Sequence, residues 1–272
     1  MKVYKIAIAT TLLALVLNSV VYNADAAITQ SVNVDEIVRE AEKAAYYSGE
    51  DGIADARMLI IDAQGRKQMR QFTILRRDIT DNGDQQMMVF FSRPSDVRDT
   101  VFRVEKHADL KKDDDRWLYM PALDLVKRIS AGDKRTSFVG SHFFYEDVSG
   151  RTVSEDNFEL IEENKKYYVL KGVPLDKSTV EFDYYSVTID KKSFLPILIN
   201  FYKESDDNYR RVEAVEIQDV QGFPTVVRSK VSDLKTGGYT LMEFRNIKYN
   251  VGLDDDVFSE RSLRNPPRRW LD

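Results

Sequence analysis

Apolar residues along this chain change period once. Between residues 33 and 48, Val34, Ile37, Val38, Ala41, Ala44 and Ala45 recur at three- and four-residue intervals, which gathers them on one stripe of a helix. Asp35 and Glu36 fall in its first turn and Gly49 follows its end, as helix start and stop signals do. From residue 53 the period shortens to two. Residues 53–62 and 67–77 read as a hairpin around Ala63-Gln64-Gly65-Arg66, and 85–92, 100–106, 117–120 and 125–130 read as further strands. After a stretch of helical character around 155–158, strands resume at 158–163, 167–172, 180–190, 195–203, 209–218, 225–233 and 239–249. Short joints rich in Asn, Asp, Gly and Lys connect antiparallel neighbours rather than crossovers. One strong helix followed by such a run predicts a mainly β fold, a curved sheet or open barrel, and not an α/β fold.

Two of the predicted strands are apolar on both faces. Met87-Met88-Val89-Phe90-Phe91 has no polar side, and residues 195–203 alternate Leu195, Ile197, Ile199 and Phe201 with Pro196, Leu198, Asn200 and Tyr202. A strand of that kind is covered twice, or has one face on a core and the other on a ligand. The alanines of the helical stripe let that helix lie close to whatever it covers, either as a lid over the sheet or as an ordinary core helix.

Residues 1–26 form a secretory signal peptide in pattern: Lys2 and Lys5, then the apolar run 6–21, then the small-x-small site Ala24-Asp25-Ala26, so that cleavage leaves Ala27 first. With no later apolar span, this predicts a soluble protein of the periplasm that meets membranes only transiently. The sequence contains no cysteine, which excludes disulfides, thiol catalysis and thiolate metal sites. A net charge of −5 with 31% charged residues disfavours nucleic acid as a partner. No linker or repeat interrupts residues 27–272, which read as one domain. Asp113-Asp114-Asp115 lacks the alternating acids and glycine of a calcium loop and reads as a solvated hairpin tip. The tail beyond Gly252 carries a turn starting at Asp254-Asp255-Asp256, and its Trp270-Leu271 end either packs on the sheet or docks on a partner.

Residues 117–151 carry the densest aromatic and glycine punctuation. Trp117-Leu118-Tyr119-Met120-Pro121, Lys127-Arg128-Ile129, Ser137-Phe138-Val139-Gly140-Ser141 and Phe144-Tyr145-Glu146-Asp147-Val148, in that order and spacing, resemble the LolA-like family of periplasmic outer-membrane lipoprotein-sorting proteins, in particular its uncharacterised branch. Phe258-Ser259-Glu260-Arg261-Ser262-Leu263 is similar to that branch's C-terminal end, while His142 stands where the pattern carries an acid. The resemblance implies an incomplete antiparallel β-barrel whose concave face is apolar, covered by helices, and holds acyl chains. The carrier it implies would take lipoprotein acyl chains, and a phospholipid-like lipid is the other expected ligand; an inner-membrane exporter is the further partner expected, the one on which a non-carrying accessory protein would dock.

The residues themselves offer little for catalysis. Ser141 and His142 are adjacent and would point to opposite faces of a strand, and no Gly-x-Ser-x-Gly elbow occurs. A non-enzymatic protein without cofactor or metal is expected, either a carrier with an open apolar cavity or a non-carrying accessory protein with a filled core. For the carrier, Trp117, Tyr119, Met120, Leu123, Phe138, Phe143 and Phe144 are the candidate ligand-binding residues, though alternation prevents all of them from facing inward. Arg128 sits between the two apolar blocks of this stretch. A guanidinium near apolar surface needs a carboxylate, so Arg128 is expected to pair with Glu146 or Asp147 and latch the 131–141 loop over the cavity mouth.

Overall fold

Helix α1 (Val34–Tyr46) opens where the sequence predicts, its first turn capped by the Asn33 side chain accepting from the Glu36 amide at 3.3 Å. The computed structural model describes residues 33–80, 83–109, 111–204 and 206–271. The signal-peptide reading of residues 1–26 lies outside them. Asn33–Asp272 form one compact unit.

The alternating segments become β1 (Asp51–Ile61), β2 (Lys67–Asp78), β3 (Gln85–Arg93), β4 (Val101–Lys106), β5 (Asp115–Met120) and β6 (Leu125–Ile129), then β7 (Asp156–Glu163), β8 (Tyr167–Pro174), β9 (Tyr184–Asp190), β10 (Pro196–Lys203), β11 (Asp207–Val220), β12 (Phe223–Asp233) and β13 (Tyr239–Tyr249). They make one antiparallel sheet in the order β6-β5-β4-β3-β2-β1-β13-β12-β11-β10-β9-β8-β7. Two meanders are thus joined back to back through β1 and β13. The two edges, β6 and β7, are consecutive in the chain, so the segment between them must cross the opening of an unclosed, curved sheet. That geometry turns residues 130–155 into a plug.

Each face of the sheet has its own cover. On the inner face Met87, Val89 and Phe91 of β3 pack with Met58, Phe72, Phe102 and Val104 against Phe138, Phe143 and Tyr145 of the plug. On the outer face Met88 and Phe90 pack with Leu75 and Val101 against Leu253, Val257, Phe258 and Leu263 of the tail. This explains why the Met87–Phe91 run has no polar side. Asp51 seats the tail by accepting from the Val251 amide at 2.6 Å and the Leu253 amide at 2.5 Å. Trp270 and Leu271 pack against the same outer cluster, so the tail covers the sheet.

Three local expectations are corrected. The chain from Asp156 onward is strand, with only a short 3₁₀ turn at Val153–Glu155 before it. β9 starts at Tyr184 rather than residue 180, because Asp176 accepts from the Ser178 amide at 2.9 Å and holds Lys177–Thr179 in a 3₁₀ turn. The 113–115 tip is not simply solvated: the Asp114 side chain is buried against Arg116 at 2.5 Å, and Asp115 bonds Arg128 at 2.5 Å.

Candidate functional site

The plug fills the inner face of the β1–β5 half, and α1 lies over the other half. Between them a cavity of about 360 Å³ remains open. Its walls are Ala44 and Ala45 of α1, Phe72 and Ile74 of β2, Ile199 of β10, Val212 and Ala214 of β11, Val226 of β12, Met242 and Phe244 of β13, and Phe143 and Val148 of the plug. Apolar side chains from both cover and sheet, with few polar groups among them, suit a greasy ligand. A second recess of about 120 Å³ adjoins it under Val38 and Ala41, and Ala45, Tyr46, Asp147, Pro196 and Ile199 belong to both walls.

The C-terminal end of α1 is clamped at the cavity wall. Arg76 of β2 donates to the carbonyls of Tyr46 (2.5 Å), Ser48 (2.6 Å) and Gly49 (3.0 Å), and to Asp78 at 2.9 Å. Gln85 of β3 adds a bond to the Tyr46 carbonyl at 2.9 Å. These carbonyls would otherwise lack partners at the helix end, and a cation there also suits the helix dipole.

The plug is held by buried charge. α2 (Tyr145–Ser149) places Glu146 at 1% exposure. Lys134, Arg135 and Arg151 each reach its carboxylate at 3.0 Å. Burial alone would raise that carboxyl, but these three charges hold it down to about 2. Arg135 also forks onto Glu181 at 2.8 and 2.7 Å, and Arg151 forks onto Asp156 at 2.8 and 2.7 Å. Asp147 pairs with Arg210 of β11, and the guanidiniums of Arg135 and Arg210 lie 5.0 and 4.2 Å from the Phe144 ring. The plug is therefore tied to the β9–β11 side of the sheet.

This corrects half of the expected latch. Glu146 and Asp147 do anchor the plug, but Arg128 is not their partner. Arg128 is paired in register with Trp117, which pairs with Arg103, and Arg103 donates to the Phe258 carbonyl under the tail. Arg128 thus stands on the outer face, 64% exposed in its side chain, and its carboxylate is Asp115. Glu146 lies on the other side of the sheet.

Of the seven candidate ligand-binding residues, the structure brings only Phe143 to the cavity. Phe138 is fully buried, making ring contacts with Phe72, Phe91, Phe102 and Tyr145 at 5.4 to 6.4 Å. Phe144 belongs to the ionic network. Trp117 lies under Arg103 at 4.6 Å and Tyr119 packs with the tail cluster, both on the outer face. Met120 is half-buried at the end of β5, and Leu123 is 69% exposed in the Pro121–Leu123 turn. Ser141 and His142 are used structurally: the Ser141 hydroxyl accepts from the Phe143 amide at 3.1 Å, and His142 bonds Thr240 at 2.8 Å.

A family model described as an uncharacterized protein matches residues 83–265, more than half of the chain. A DUF1329 family protein from Desulfovibrio piger is 26% identical, with a TM-score of 0.77 over 84% of this chain and 96% of that one. A putative outer membrane lipoprotein-sorting protein domain from Vibrio parahaemolyticus is 25% identical, with a TM-score of 0.76 over 84% and 97%. The chain belongs to the LolA-like family. A LolA superfamily protein from Nitrosomonas europaea, 17% identical with a TM-score of 0.63 over 85% and 99%, shares the fold. No curated protein matches the chain. In this LolA-like chain the inner face is unevenly filled, with the aromatic plug packed against β1–β5 and open volume left between the plug, α1 and β10–β13.

Proposed function

We propose that this LolA-like protein is a periplasmic, non-enzymatic carrier. It takes up the acyl chains of a lipoprotein or another lipid in the cavity under α1 and moves them toward the outer membrane. Residues 27–272 act as one carrier domain, exported by the segment 1–26, and an inner-membrane exporter supplies the cargo. The observation that carries the reading is the cavity itself. A sheet whose inner face needed only a core would be filled on both halves, whereas here the β10–β13 half keeps apolar walls around open volume. The lipoprotein-sorting description of the Vibrio relative supports the same reading. The cavity also favours a carrier over a non-carrying accessory protein. Of the residues expected from sequence to touch the ligand, Phe143 keeps that role, joined by Ile199, Val212, Ala214 and Phe244. Organic extraction of protein purified from the periplasm, followed by mass spectrometry, should yield bound lipid. A lipid-free preparation that also fails to bind fluorescent acyl probes would exclude it.

A further inference from the structure

We propose that the edge of β11 beyond Glu213 is a binding site for an extended polypeptide, and that its occupant is the segment next to the acylated residue of a lipoprotein whose chains lie in the cavity. The inference rests on the carrier reading and gives the same cargo a second contact.

An open strand edge is the first argument. β10 and β11 pair from Lys203 with Asp207 up to Leu198 with Glu213, but β11 runs on to Val220. β10 itself starts at Pro196, and the chain before it turns back toward β9, where the Asp190 amide donates to the Leu195 carbonyl at 3.1 Å. Among the described residues, no strand therefore lies beside 216–220 on the β10 side, while β12 pairs with them on the other. In an antiparallel ladder only alternate residues bond to a given neighbour, so those between turn their N–H and C=O to the open side.

The side chains along this edge are the second argument. Glu216 is drawn to Arg228 of β12 at 3.0 Å, and Asp219 accepts from the Gly222 amide at 2.9 Å. Val215 and Ile217 are left 49% and 40% exposed. The two outermost strands of the sheet differ from this. β6 exposes Lys127 and Arg128, and β7 exposes Glu159 and Glu162, charges of the kind that keep edges from pairing. The β11 segment has its charges engaged within its own hairpin.

Position selects the occupant. Val212 and Ala214 of β11 and Val226 of β12 line the cavity, and Ile217 is the in-register partner of Val226. Residues directly opposite share a face, so the cavity wall continues toward the open edge. An amphiphile leaving the cavity along this wall passes residues 215–220. A lipid head group offers no series of donors and acceptors repeating every two residues, about 7 Å. An extended polypeptide does, and adds to such an edge as a further strand.

The test uses the full mature protein with hexadecanoic acid and with a lipopeptide, a tripalmitoylated cysteine followed by about eight residues of serine, threonine and valine, within the length range of ordinary strands. Two further lipopeptides carry N-methyl groups on alternate amides, one on the odd set and one on the even set. Hydrogen exchange should show the open-side amides among residues 216–220 protected at least tenfold by the lipopeptide and unchanged by hexadecanoic acid. Only one edge of an added strand faces β11, so one methylated version should bind at least tenfold more weakly than the parent and the other should bind as the parent does. Val215→Lys combined with Ile217→Lys, which gives this edge the charges that guard others, should remove the protection. Unchanged exchange at 216–220 under saturating lipopeptide, or equal affinity of all three lipopeptides, would overturn the strand site while leaving the carrier intact. Failure of hexadecanoic acid and every lipopeptide to bind would overturn the carrier reading itself.

Discussion

Arg135 and Glu146, eleven residues apart, meet at 3.0 Å with 6% and 1% of their side chains exposed, and through them the plug is bonded to the far half of the sheet. Arg135 forks at the same time onto Glu181, which also accepts from the Tyr209 hydroxyl at 2.5 Å. The guanidinium further lies within 5.0 Å of the Phe144, Phe182 and Phe201 ring centres. A charge so placed is costly to desolvate and becomes tolerable only because each of its faces and donors has a partner.

Removing the carboxylate from that arrangement should be strongly destabilising. Glu146→Ala leaves Lys134, Arg135 and Arg151 in mutual repulsion, and breaking a buried pair in this way costs about 3–5 kcal/mol. Arg128→Leu removes only the exposed pair with Asp115, worth about 0–1 kcal/mol. Urea unfolding of the two variants checks the contrast, and comparable midpoints would refute the assignment of the latch to Glu146.

Acid should act on the same group. Above pH 4.5, its ordinary value, Glu146 is ionised in both folded and unfolded chains, and the full stabilisation is present. As pH falls from 4.5 toward its folded value of about 2, the unfolded chain takes up the proton first and that stabilisation is lost. The whole effect is on the order of 3 kcal/mol. Glu181 is shifted in the same direction: burial raises it, but Arg135 and Tyr209 prevail and lower it. Thermal unfolding between pH 6 and 2.5 should show a falling melting temperature over this window, and Glu146→Gln should flatten its acid limb. An unchanged slope in the variant would remove Glu146 from the acid response.

The sequence made the elements legible and left their partners hidden. The three-to-four period of Val34, Ile37, Val38 and Ala41 gave α1 its place and its buried face. The absence of a polar side in Met87–Phe91 announced a strand covered twice, as it is by the plug and the tail. Alternation placed Val126, Arg128 and Ser130 on one face of β6, but nothing local said that this face is the outer one. The cations that hold Glu146 and Asp147 include Arg210, sixty-three residues on in the chain, and only the order of the sheet brings it there. For the same reason the aromatic stretch reads equally well as cavity lining or as filling. Phe138 proves to be filling because the plug must cross between two consecutive edge strands.

The clamp on α1 should govern access to the cavity. Arg76→Ala removes bonds from a charged group to three carbonyls at the helix end, of a kind worth about 1.5–3 kcal/mol net of exchange with water. Gln85 retains one of them, so the helix should stay formed but open more often. Hydrogen exchange of the last turn of α1 should quicken at least tenfold, with bound acyl probe dissociating faster, while exchange in β3 stays as it was. Unaltered exchange in both would mean that Arg76 does not restrain the lid.

Gly172 of β8 has an ordinary backbone conformation but no room for a side chain, since a Cβ there would lie 2.4 Å from Cζ of the Tyr185 ring. Tyr185 crosses that gap to donate from its hydroxyl to Asp156 at 2.8 Å, the carboxylate that also takes the Arg151 fork. Gly172→Ala should therefore push the ring aside, loosen Asp156 and Arg151, and cost about 1–3 kcal/mol through overpacking. Tyr185→Phe keeps the ring and loses only the hydroxyl, at about 1 kcal/mol. Because both changes act on one contact, the double variant should cost less than the two costs added together. Strict additivity in urea unfolding would show that the close approach of Gly172 and Tyr185 does not serve the ionic network behind it.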